Sequence, residues 1–367
     1  MQKFCIFAKY YIKLNNQEFM KHFVITILFI TSTLTAIAQT SVTPFDATKD
    51  YLNGITYSLP KTQLSVTVTA RHTIEKPGPF YQYAERYLAT KEIVTINNEL
   101  WTVENIEIST SAVADPNRTF QVAIDNKGIA NNISFYHDNI IAGVNTEYTP
   151  KAEEQPKREE SGNSQLSFDY SVLNEDALVA TSIPKMAEMI ARQIYHIRES
   201  RTALLSADLE QLPDGEALKA MLARLDQEEA ELIALFIGKT TSYTVTKTYT
   251  ITPDDDIEHY VIARISTSEG LTDAGNVIGE PIYINIKGTY YNAPLTDPKQ
   301  EKTPKGFYYN VPGSALITIE CPDFNIQQTL PIAQFGYTTH LNAALTNNKT
   351  ARITFNPELG TITKISR

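Results

Sequence analysis

Cysteine is nearly absent from this 367-residue chain. There are two, Cys5 and Cys321, and Cys5 falls in a segment read below as removed, so no internal disulfide framework is possible. Cys321 precedes Pro322 in strand-rich sequence and reads as a buried structural thiol rather than a nucleophile. No Cys/His cluster has zinc spacing. Positive charge is also short: 32 Lys and Arg face 42 Asp and Glu, a net charge of −10, and there is no basic stripe to meet phosphates. Nucleic acid is therefore excluded as a partner. Beyond residue 38 no apolar run approaches the roughly 18 residues that a membrane-spanning helix needs, so no integral span is expected in the mature chain. There is no Gly-x-Ser-x-Gly elbow, HExxH, Walker loop or dinucleotide fingerprint, and Gly313-Ser314 lies in VPGSALI without the elbow pattern.

What is present starts with residues 20–39, MKHFVITILFITSTLTAIAQ. Lys21 and His22 make a short basic region, Phe23 to Ile30 an apolar core broken only by Thr26, and Ala36-Ile37-Ala38 the small residues of a cleavage site. That layout is a secretory signal peptide, with Gln39 as the first mature residue; a buried N-terminal strand is the alternative. Residues 1–38 are thus read as an N-terminal extension plus signal peptide, with Met20 as the expected true start. Gln39 stands where a lipoprotein needs Cys. The expected location is exported: periplasm or cell envelope, or extracellular.

Composition favours strands, with 20 Tyr, 15 Phe and recurrent Thr and Ile, and the length suggests two domains. Residues 39–148 read as an N-terminal β-rich domain. Its first strands meet near Pro60-Lys61, and Leu64, Val66, Val68 and Ala70 alternate with Ser65, Thr67 and Thr69. After the Pro77-Gly78-Pro79 turn, Phe80, Tyr83, Ala84, Tyr87 and Leu88 fall at helical spacing, a short amphipathic helix. EIVTI, LWTVENIEIST and TFQVAID then read as strands with ADPN and DNKG as turns, and ISFYHDNIIAGVN as a hairpin-like pair. Residues 149–167 are charged, hold two prolines and read as a mobile linker.

Residues 168–239 read as an antiparallel αα-hairpin packed on itself and on a sheet. Ile183, Met186, Ile190, Ile194, Ile197 and Leu204 or Leu205 form one apolar stripe; Leu218, Met221 or Leu222, Leu225, Leu232 and Leu235 or Phe236 form the other. Pro184 suits a first turn, Glu188 and Arg192 pair four apart, Asp214 reads as an N-cap and Gly238 as the residue ending the second helix. Residues 240–367 read as a C-terminal β-sandwich-like domain. The fold class is α+β, mostly β. ISFYHDNIIAGVN and ITFNPELGTITKIS echo one another: an Ile-x-Phe strand, a polar turn and a second strand.

PGPFYQYAERYL, the ADP turn, the hairpin ending in GVN, LPDGEAL…LDQEEAELIALFIGKT and PIAQFG near Phe335 resemble an exported Bacteroidetes family known only as a domain of unknown function, number 4831. The resemblance covers the chain from about Leu52 onward. It implies export and the β–αα–β organisation, and carries no activity, substrate or site residues.

The densest polar cluster is Asp254-Asp255-Asp256 with Glu258 and His259. Such a loop can hold calcium, yet it lacks the EF-hand glycine and distant Glu, and a solvated hairpin turn is the simpler reading. His196 sits among Arg192, Arg198, Glu199 and Arg201 and reads as a helix-rim residue; His72, His137 and His340 have no partner identifiable by spacing. The aromatic groups Phe80/Tyr81/Tyr83/Tyr87, Tyr290-Tyr291 and Phe307-Tyr308-Tyr309 suit packing before sugar stacking. No catalytic, cofactor-binding or metal residue is assigned. The expected function is a non-enzymatic envelope protein that binds a protein partner or serves in an assembly. A glycan-binding or glycan-processing accessory protein, and a hydrolase whose site is not visible in sequence, are the alternatives.

Overall fold

The computed structural model describes residues 41–46, 48, 54–123, 132–149, 166–206, 215–295, 305–343 and 351–366. The signal peptide, residues 150–165 of the linker, the DNKG turn and the Asp214 cap lie outside the described residues. The fold is α+β, mostly β; the described residues form three antiparallel sheets and one helical unit.

The first sheet has the order β1 (Ser41–Pro44), β3 (Asn98–Ala123), β2 (Gly54–Lys76) and β6 (Lys239–Ile251). Leu64, Val66, Val68 and Ala70 of β2 are buried while Ser65, Thr67 and Thr69 are half-buried, as the alternation requires. β2 is one strand through Pro60, not two: its register to β3 resumes after a shift opposite residues 114–119. ADPN is correspondingly a bulge inside β3, where Asp115 accepts from the Asn117 N–H at 2.9 Å and pairs with Arg118 at 3.4 Å. EIVTI is not a strand, because the Val94 N–H donates to Ile237 O at the end of a helix.

The second sheet has the order β11 (Phe324–Asn342), β10 (Lys305–Cys321), β9 (Glu280–Thr289), β7 (Ile257–Ser266) and β8 (Gly270–Asp273). Ile284, Ile317 and Phe335 of this sheet pack on Leu64, Val66 and Ile106 of the first. The sandwich is therefore made between the two β blocks rather than within residues 240–367, and β6 crosses that boundary by pairing with β2 from Leu64↔Ile251 to Lys76↔Lys239. The alternating faces explain it: each block offers one apolar sheet face, and each is the other's cover.

The third sheet joins β4 (Ile133–Phe135), β5 (Ile141–Val144), β12 (Arg352–Phe355) and β13 (Ile362–Ser366). The two echoing hairpins thus meet each other, Ile353 opposite Val144, and their apolar residues close a second core with Tyr57, Phe120 and Phe307.

Between these two cores both large sheets break register at one level. In β10–β11 the shift lies between Val311↔Tyr337 and Gly313↔Ile332, so Ala333–Gly336 bulge opposite Pro312. Gln334 in that bulge accepts from the Thr62 N–H at 2.8 Å and donates to Thr62 O at 2.9 Å and Pro253 O at 2.8 Å. Its amide stands in for the strand partner that Thr62 loses where β6 ends. Asn310, almost fully buried, donates to Pro60 O at 3.2 Å and Leu359 O at 3.1 Å and accepts from Thr338 Oγ1 at 3.1 Å.

The helical unit comprises α1 (Ala84–Leu88), α2 (Glu175–Leu178), α3 (Ile183–Leu205) and α4 (Gly215–Ile237). Ser182 makes no side-chain cap and Pro184 takes the first turn. Arg192 bonds Glu188 at 2.7 Å, and α4 ends at Gly238, whose φ of +91° suits glycine. The hairpin packs on itself, on α1 and on the segment around Leu173 and Ala177, rather than on a sheet face. Phe80, Ile190, Ile194, Leu232, Leu235 and Phe236 form this third core.

Replacing Gln334 by Leu leaves the buried Thr62 N–H and C=O without partners. We expect a loss of about 2–4 kcal/mol, read as a lower urea midpoint at unchanged m-value; an unchanged midpoint rejects this role for the amide.

Candidate interaction surface on the helical hairpin

The apolar stripe of α4 is only half used. Leu232, Leu235 and Phe236 are buried, whereas no residue of α4 before Glu229 is buried: Leu218, Leu222 and Leu225 are half-buried and Met221 is 46% exposed. On α3, Leu204 turns inward and Leu205 is 64% exposed. Between the two helices lies an open groove of about 710 Å³, lined by Ser200, Ala203, Leu204, Ala220, Met221 and Leu225 with Arg224. The small side chains of Ser200, Ala203 and Ala220 leave room for a third element, and aliphatic residues supply the contact surface.

The groove starts where the apolar contact between the helices gives way to charge. Glu229, which is 7% exposed, accepts from Arg198 Nε at 2.6 Å and from Arg201, and Arg201 also reaches Asp226 at 2.8 Å. Burial pushes the Glu229 carboxyl up, but the bonds and charge of Arg198 and Arg201 outweigh it and hold the pKa below the usual range. Glu229 lies four residues after Leu225 and three before Leu232, an acid inside the apolar stripe. Its place as an acid inside an apolar stripe is legible in the sequence, but the arginines that pair with it come from the other helix and are set by the tertiary structure.

The singled-out polar residues are dispersed. His196 is exposed at the surface, 3.9 Å from the equally exposed Glu199. In the acidic loop Asp254 pairs with Lys61 at 2.8 Å, while Asp256 accepts from the Gly288 N–H and Tyr290 Oη, each at 2.8 Å. Those two bonds lower the Asp256 pKa; desolvation and then Asp256 raise that of Tyr290 to about 12. His259 N–H donates to Asn285 and its ring stands edge-on to Tyr283. Among the described residues, no group of three or more His, Cys, Asp and Glu converges as a metal site. Cys321 is half-buried, and burial pushes its thiol up, away from thiolate. Of the aromatics, Phe80 and Phe307 are buried and Tyr308 stacks on Phe120 at 4.1 Å, while Tyr290 and Tyr291 stay half-exposed beside Phe335. Among the described residues no helix is long and apolar enough to cross a membrane.

Because the folded-state pKa of Glu229 is depressed, its stabilising contribution is present above the unfolded value of about 4.3 and is lost as pH falls through the folded one. Glu229→Gln should therefore cost about 1–2 kcal/mol at pH 7, and the gap to the parent should close on acidification below about pH 4. Paired urea titrations between pH 7 and pH 3 read it; a gap independent of pH contradicts the ion network.

Comparison with known proteins agrees with the resemblance noted in the sequence. The family model described as Domain of unknown function (DUF4831) matches residues 53–363, which takes in all three cores apart from Val42. No curated protein and no solved structure matches. The chain belongs to the DUF4831 family.

Proposed function

We propose that this protein is an exported, non-enzymatic envelope module that binds a partner protein, and that the distal groove of α3 and α4 receives an amphipathic helix of that partner. The observation that carries the reading is the half-used apolar stripe: Leu218, Met221, Leu222 and Leu225 continue the pattern of Leu232, Leu235 and Phe236 without a matching cover from α3. Apolar residues at this spacing, beside a groove floored by small side chains, match the way a helix is held in a groove. A contiguous aliphatic surface exposed in this way along one helical stripe is the kind of patch that marks an interaction site.

Crosslinking in living cells, with the chain tagged at its C-terminus, should trap a discrete heavier species. Ala220→Glu with Met221→Glu, both at exposed positions, should reduce that species at least tenfold while leaving the thermal midpoint within a few degrees. A species that persists undiminished removes the groove as the binding surface, and a monomer alone removes the partner. Export is checked separately: the N-terminus of protein recovered from the envelope should begin at Gln39, and an intact residue 20–38 segment contradicts it.

A further inference from the structure

A second opening lies where β3 begins, beside the turn between β7 and β8, whose Thr267 O accepts from the Trp101 N–H at 3.1 Å. It is a cleft of about 480 Å³ bordered by residues 100–103, 265–268, 278–280 and 322–323. Trp101, the single tryptophan of the chain, presents its edge to this cleft. Its faces are taken: the His72 ring stacks on one at 4.3 Å and 11°, Tyr243 stands edge-on at 5.7 Å, and Gly270, with φ +75°, lies so close that a Cβ there would come within 2.8 Å of the indole. The indole is a fixed wall rather than a stacking platform.

The opposite wall is also held in place. Arg264 donates to Ala274 O and Gly279 O, both at 3.1 Å, and Asn276 accepts from the Ile278 N–H at 3.0 Å. On this braced loop Val277 and Ile278 are 85% and 50% exposed, and Ile278 lines the cleft together with Leu100, which is 37% exposed. Buried Val103 and Ile265 contribute an apolar lining. Ser266 Oγ is already engaged by the Ser268 and Glu269 N–H groups. The charged residues that line the cleft are Glu280 and Asp323, and the cation on that wall, Arg264, is committed to backbone oxygens.

From this geometry we infer that the cleft binds a Lys or Arg side chain of a partner polypeptide. The aliphatic stem lies against the Trp101 edge and Ile278, and its cationic end meets Glu280 and Asp323. A lining that mixes Val103, Ile265, Ile278 and the Trp101 edge with the hydroxyls of Thr102, Ser266, Thr267 and Ser268, and whose charged members are Glu280 and Asp323, suits an amphipathic cation, whose stem is apolar and whose head is charged; the two carboxylates disfavour an anion. The site is separate from the helical groove and stands or falls independently of it.

Trp101 makes the test direct, because any change in tryptophan emission comes from this cleft. The chain from Gln39 to Arg367 is titrated with acetyl-Leu-Lys-Leu-amide, its Arg and Glu counterparts, and free 1,5-diaminopentane, with calorimetry in parallel. The Lys and Arg peptides should give a saturable change, at least fivefold tighter than the Glu peptide, and Glu280→Gln with Asp323→Asn should weaken them fivefold or more at an unchanged thermal midpoint. An equal response to the Glu peptide, indifference to the double substitution, or no saturation with either basic peptide overturns the proposal. Diamine binding as tight as the peptides overturns the assignment to a polypeptide in favour of a free polyamine.

Discussion

Two very long strand pairs have to bend at the same height, and what the bend does to backbone hydrogen bonds governs the rest of the structure. β2–β3 and β10–β11 each break register between two apolar cores. Each break leaves peptide groups facing the interior of the molecule, where an unmade bond costs about 1–3 kcal/mol. The two breaks answer each other. Gln334 of one sheet completes Thr62 of the other, and Asn310 bonds Pro60 O while its own oxygen is shared by Thr338 and Arg118. This polar layer separates the Leu64–Ile284–Phe335 core from the Tyr57–Phe307–Phe355 core. It also fixes how the sheets are offset, since directed bonds have one satisfied arrangement where apolar packing alone has several.

The helical unit obeys a different constraint. Its base is welded to the segment from Phe80 to Val94, whose N–H groups at both ends donate to carbonyls at the end of α4. Among the described residues, the sheets have no helical cover and the far half of the hairpin has none either. At the midpoint, Glu229 and its two arginines occupy space that apolar side chains fill elsewhere in the stripe. A buried charge cluster is poor evidence of stability but good evidence of a defined geometry. Here it marks where the two helices stop sharing a core and start presenting a surface.

The lone tryptophan shows how burial of a ring's faces changes its meaning. An indole with a free face is a stacking surface. In the fold, the cross-strand neighbours His72 and Tyr243 and the backbone of Gly270 use the aromatic surface, and only the edge remains. The rest of the cleft lining is aliphatic side chains, Ser and Thr hydroxyls and the two carboxylates.

Much of the local structure follows from the amino-acid sequence alone: the period-2 faces of β2, the helical periods of α3 and α4 and Gly238 as a stop are all short-range consequences of side-chain spacing and backbone preference. The mostly β, α+β class follows from the same patterns. What the sequence leaves open is which faces meet. ADPN carries turn chemistry, and whether it ends a strand or bulges within one depends on the register of β2 beside it. EIVTI has strand composition, and a helix end claims its N–H first. β6 alternates like its neighbours in sequence, yet pairs with a strand some 180 residues earlier, as the Thr67–Thr248 bond shows. The groove could not be read at all, because a helical stripe looks the same whether its partner covers all of it or half. Local periodicity determines that a face is apolar; only long-range pairing, through directional bonds such as those of Gln334, decides what covers it.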